Sequence, residues 1–141
     1  MTTLTAGELL DSVVAKIDGI DVGADSAGPD DVFKATIGQP DRFLGDRMVV
    51  VLPSGSRRTE TVLDRRVHVI DLEVIALYRL TPGAWVRAAD DAGRIAEVMH
   101  EIVSTIDGVQ DVQVDMGLIE TSGDGYLQSA RTVEIEWNRT Q

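Results

Sequence analysis

The sequence predicts an α+β fold: a mostly antiparallel sheet of four or five strands, covered by two helices, with one β-hairpin projecting from it. Three observations predict it. Apolar residues recur at helical spacing in segments 6–17 and 90–106. They alternate with polar residues at period two in 109–116 and 131–137. Short clusters of Gly, Pro, Ser and Asp separate these segments, as turns require. A chain of 141 residues fits a single domain spanning 1–141.

The elements follow in order. Thr5-Ala6-Gly7-Glu8 matches a capping box, in which Thr5 caps the helix and Glu8 reaches back. Leu9, Leu10, Val13, Val14 and Ile17 then form one stripe, and Asp18-Gly19 signals the helix end. Residues 18–31 are rich in Asp and Gly but lack the ligand order of a calcium-binding EF-hand loop, so a solvated loop is expected. Residues 32–37 suit a short strand, and 48–52 form a continuous apolar run that suits a buried one. The small, polar, basic stretch 53–61 reads as a mobile loop.

The longest strand is expected over 65–78. Val67 and Val69 fall on one face, whereas Ile70, Leu72, Val74 and Ala76 fall on the other. The change of side predicts a bulge between Val69 and Ile70. The length of this strand predicts the projecting hairpin. Thr81-Pro82-Gly83 ends it, and Trp85 then lies at a hinge before the second helix. That helix, 90–106, carries Ile95, Val98, Met99, Ile102, Val103 and Ile106 on one stripe. Asp90 and Asp91 suit its N-terminal dipole and Gly108 its C-terminal cap. Strands 109–116 and 131–137 read as one-faced antiparallel partners joined by a loop over 117–130, with Trp137 in the core.

Composition narrows the function. Hydrophobic residues at 43% and charged residues at 26% exclude a wholly disordered chain. No cysteine means no disulfide and no thiolate metal site. No apolar run reaches the length of a membrane span, so a soluble protein of the cytoplasm, or of a particle assembled there, is expected. The net charge of −11 opposes a duplex-binding surface, which needs clustered Lys and Arg. The basic residues are concentrated, however. Arg42, Arg47, Arg57, Arg58, Arg65 and Arg66 lie within 42–66 against Asp46, Glu60 and Asp64, leaving that segment at +3 and the rest at −14. Such asymmetry fits a solvated loop and strand edge, or a complementary surface that meets an acidic neighbour such as a second copy of the chain.

Catalytic signatures are missing. His68 and His100 have no second ligand at metal spacing, and His100-Glu101 is not an H-E-x-x-H motif because position 104 is Ser. No G-x-S-x-G elbow and no phosphate-binding glycine loop occurs; Ser122-Gly123-Asp124-Gly125 reads as a hairpin turn. Accordingly no enzyme activity, metal or cofactor is expected. The candidate contact residues are Arg57, Arg58, Arg65 and Arg66, with Asp111 and Asp115 on the polar side of their strand.

The order of these elements resembles one family across about residues 4–138: a capped helix, an acidic loop, a strand, a basic loop, a long strand ending in Tyr78-Arg79, the helix 90–106, an Asp-Gly-Val strand and a terminal Val-Glu-Ile-Glu-Trp strand. The family is that of the tail-terminator, or tail-completion, proteins of long-tailed bacteriophages, the lambda-like minor tail proteins. The resemblance rests on length and pattern. It implies a structural virion protein at the tail–head junction, present in the host cytoplasm during assembly. Its partners would be further copies in a hexameric ring, the tail tube protein and the head–tail connector or stopper. DNA would pass through the lumen without specific binding. Head–tail adaptors, stoppers and tube proteins are also small and lack catalytic residues, and a small α+β ligand-binding or enzyme domain is the reading from another class.

Overall fold

The computed structural model describes residues 5–20, 35–37, 47–54, 58–62, 65–115, 117–121 and 125–138. Helix α1 covers Ala6–Asp18 and begins with the capping box: the Glu8 N–H donates to Thr5 Oγ1 at 3.1 Å, and the Thr5 N–H donates to Glu8 Oε1 at 3.3 Å. Two of the orphan donors of the first turn are thereby satisfied. Leu9, Val13 and Ile17 are buried, and each contributes about 1.5–3 kcal/mol relative to exposure. That burial holds a helix too short to be stable alone.

Two long antiparallel strands form the centre of the sheet, β4 (Arg65–Arg79) and β7 (Tyr126–Asn138). They pair without interruption from Val67 opposite Asn138 to Arg79 opposite Tyr126. Each is flanked by an interrupted strand. On the far side of β4 lie β2 (Arg47–Pro53) and β3 (Arg58–Val62). On the far side of β7 lie β5 (Val109–Val114) and β6 (Leu118–Thr121). Single bonds carry the ladders past the strand ends: Ser54 N–H donates to the Asp71 carbonyl and Asp115 N–H to the Thr132 carbonyl, both at 2.9 Å. β1 (Ala35–Ile37) joins β2 in parallel, giving the order β1-β2-β4-β7-β5 in an open sheet.

Both helices lie against this sheet. α1 packs on β1 and β2, while α2 (Ala84–Thr105) packs on β4, β5, β6 and β7. The core fills the space between: Leu72, Val74, Val133, Ile135 and Trp137 from the strands meet Ile95, Met99 and Ile102 from α2. The fold is therefore α+β, mostly antiparallel, with two helices covering the sheet.

Four details differ from the sequence reading. α2 starts at Ala84, six residues before the expected start. Gly83 caps it with a left-handed φ of 87°, a conformation glycine adopts without steric cost, so no side-chain cap signals the start. Trp85 is thus inside the first turn rather than at a hinge, and Asp90 and Asp91 lie well past the N-terminus. At the other end Ile106 is the cap, and Gly108, with φ 94°, serves the turn into β5. No bulge separates Val69 from Ile70, since the register with β7 is continuous. Val67 and Val69 do lie on the side away from the helices, and they are buried there, as are Met48 and Val50 of β2. The register shift falls instead between Val109 and Asp111. Part of the expected loop 53–61 is strand β3, and the loop 117–130 contains β6 and the start of β7. Residues 21–34, including most of the acidic stretch, lie outside the described residues.

Candidate functional site

Side chains alternate across a strand, so every second residue shares a face. On the sheet face away from the helices, this rule and the strand register build a grid. Val69, Glu136 and Asp111 form one row; Asp71, Glu134 and Gln113 form the next. Glu73 pairs with Thr132, which accepts from the Asp115 N–H, and these three form the last row. Six of the nine positions are carboxylates. Asp111, Gln113 and Asp115 are exposed, and the acids of β4 and β7 are half-buried. Asp71 stands directly opposite Glu134, and Glu136 opposite Asp111. Cβ atoms in such pairs are about 4.5–5.5 Å apart, where like charges destabilise a sheet.

A second cluster lies on the helix side. The β2–β4 register places Arg47 opposite Tyr78, and α2 brings Asp91 onto both. Arg47 Nη1 donates to Asp91 Oδ2 at 3.0 Å and to Oδ1 at 3.2 Å. The Tyr78 hydroxyl donates to Oδ2 at 3.0 Å, and Arg94 Nη1 to Oδ1 at 2.7 Å. Asp91 is fully buried and Arg47 nearly so, whereas the Arg94 side chain is 30% exposed. A carboxylate that accepts this many bonds can stay charged in the interior. Burial first, then the charge of Asp91 and the hydrogen bond to it, push the Tyr78 hydroxyl well above its ordinary range. Arg131 is held below the usual arginine value, mainly by burial. The cluster ties β2, β4 and α2 together.

The expected contact residues divide between two places. Asp111 and Asp115 are exposed, and the register brings them together with Asp71, Glu73, Glu134 and Glu136. Arg58 stands in β3 opposite Val69; Arg65 and Arg66 begin β4 opposite Val62 and Thr61. Arg57 lies outside the described residues. Alternation puts Asp71 and Glu73 on one side of their strand and Glu134 and Glu136 on one side of theirs, but only pairing makes them neighbours. Asp91 was missed for a different reason. Ala84, Ala88, Asp91, Ile95, Met99, Ile102 and Ile106 occupy successive stripe positions, so Asp91 reads as a buried acid once the helix is extended back to Ala84.

His68 is buried beside Trp137, with ring centroids 5.3 Å apart, and His100 is exposed on α2. The two do not share a site. Among the described residues no group of three or more His, Cys, Asp or Glu side chains is disposed to hold a metal ion. No described helix is long and apolar enough to cross a membrane. No family model matches the chain, and no curated protein matches it.

Proposed function

We propose that the protein is a structural virion component that forms a closed ring, a hexamer, at the end of a phage tail tube and joins the tube to the head connector. The observation that carries this reading is the segregation of charge on an open sheet. Six carboxylates gather on the β4–β7–β5 face, while the arginines concentrate in the segment that ends in the β3–β4 hairpin. A surface of this kind fits repeated contact between subunits better than turnover of a small molecule. A contact between two different patches of one chain is heterologous, and it closes into a ring when its rotation returns on itself. The number six comes from the family resemblance. The net charge of −11 also suits a channel through which DNA passes without sticking.

Reconstruction of the neck in the assembled particle tests the reading. Six copies between the last tube ring and the connector are expected. Another copy number, or a position away from the tail–head junction, refutes it and turns the assignment toward an adaptor or stopper. A second expectation is that the purified protein turns over no substrate. Turnover that disappears on substitution of His68 or His100 would remove the structural reading altogether.

A further inference from the structure

We propose that the acidic β4–β7–β5 face is a docking surface for a second copy of this chain, which brings the arginine-bearing end of its β3–β4 hairpin. The inference deepens the ring reading by naming the surfaces that meet, and it rests on that reading for the choice of a second copy.

The acceptor surface is a sheet face rather than a loop cluster. Its backbone is held by continuous pairing of β7 with β4 on one side and by β5 on the other. Carboxylates on such a frame keep fixed spacing, which suits planar bidentate recognition by guanidinium groups. The chain carries 11 Arg and only 2 Lys, so its own basic residues are of the matching kind. An apolar row borders the acids: Ile75 pairs with Ala130, which pairs with Leu118. Leu118 is 75% exposed, the most exposed large apolar side chain among the described residues. Carboxylates beside an exposed leucine form a contact with both an electrostatic and an apolar component.

The donor is the hairpin. Arg65 and Arg66 lie at its closed end, beyond the last pairing of β4 with β7, whereas Arg58 begins β3 at the open end, opposite Val69. That end can therefore reach a neighbour without unpairing the centre of the sheet. A nucleic acid is the wrong partner for the acidic face. A second copy needs nothing from outside the chain, and two bodies of net charge −11 approach favourably only when opposite patches face each other.

The test compares the wild-type protein with two charge-reversed variants, D111R/D115R and R65E/R66E, by analytical ultracentrifugation. Runs at about 0.02 M and about 0.3 M salt span the range over which surface charges become screened. The wild type should self-associate at low salt and lose about tenfold or more in affinity at high salt. Each variant alone should fall by a similar factor at low salt. An equimolar mixture of the two should associate again, because the unaltered hairpin of the first meets the unaltered face of the second. Circular dichroism establishes that each variant is folded. Should a reversal unfold the chain, D111N/D115N takes its place, and an undiminished association of that variant counts against the contact. A wild type that stays monomeric at low salt, variants that associate like the wild type, or a mixture of folded variants that stays apart overturns the proposal. A six-fold ring found at the tail end but built through other surfaces would remove this contact and leave the proposed function standing. Salt-sensitive pairing in a protein absent from the neck would do the reverse.

Discussion

Asp91 is the residue on which the joint between α2 and the sheet depends. Its carboxylate, itself fully buried, accepts from Arg47, Tyr78 and Arg94. Removing it leaves a buried guanidinium without its counter-charge, so D91A should lower stability by about 3–5 kcal/mol in a denaturant titration. Replacing the whole cluster with apolar residues of similar size is a different experiment. R47M/Y78F/D91L should come within about 2 kcal/mol of the wild type, since the buried pair is removed as a unit and Arg94, the one charge left, is partly exposed. Equal losses in both variants would show that packing, not the ion pair, sets the cost. Tyr78 adds a pH signature. Its hydroxyl is held above the ordinary value of 10.0, so the folded state keeps a proton that the unfolded state releases. Stability is fully present below that value and falls as pH rises above it. Unfolding midpoints measured from pH 8 to pH 11 should decline above about pH 10 in the wild type and decline less in Y78F.

At the scale of elements, the two interrupted flanks set the shape of the sheet. The break between β5 and β6 depends on Gly117: a Cβ there would stand 1.9 Å from the Ala130 carbonyl oxygen. The obstacle is backbone, which cannot swing aside as a side chain can. G117A should therefore destabilise the fold by about 1–3 kcal/mol, the usual range for forced overpacking. Protection of the β6 amides against hydrogen exchange should fall before that of β5. The α1 cap offers a milder test: T5A should cost about 1 kcal/mol in thermal unfolding, because the Glu8 N–H loses its acceptor. Elements with a local signal were legible in the sequence. The Thr5–Glu8 box marked the start of α1, and alternation marked β5 and β7. The first turns of α2 were not legible, because Gly83 enters the helix through its own left-handed backbone and offers no polar cap to read. Nor was β3, whose polar sequence Arg-Thr-Glu-Thr-Val resembles a loop until β4 supplies its partner.

For the whole molecule, charge is the dominant variable. The acidic face places Glu136 opposite Asp111, so D111N should stabilise the isolated protein at low salt by about 0.2–1 kcal/mol, measured by denaturant titration. The gain should shrink at high salt as the repulsion in the wild type is screened. If the face is a contact surface, the same substitution weakens assembly while strengthening the fold. No change in stability at low salt would mean that the opposed pair carries no repulsion.

By itself the sequence determined the class of structure and the supply of charge. Helical and strand periods are local, as are capping residues and turns, so an α+β domain with a capped first helix followed from short windows of residues. So did the concentration of arginine in one segment and of acid elsewhere. Only the tertiary structure decided which of those charges become neighbours. Asp71, Glu73, Asp111, Asp115, Glu134 and Glu136 lie on three strands or directly beside them, separated by up to 65 positions, and only strand register gathers them on one face. Arg47 and Asp91, 44 residues apart, meet because α2 begins early enough to place an acid on its buried stripe. Periodicity assigns a residue to a face of its own element; contact between elements depends on register and packing, which no single segment encodes.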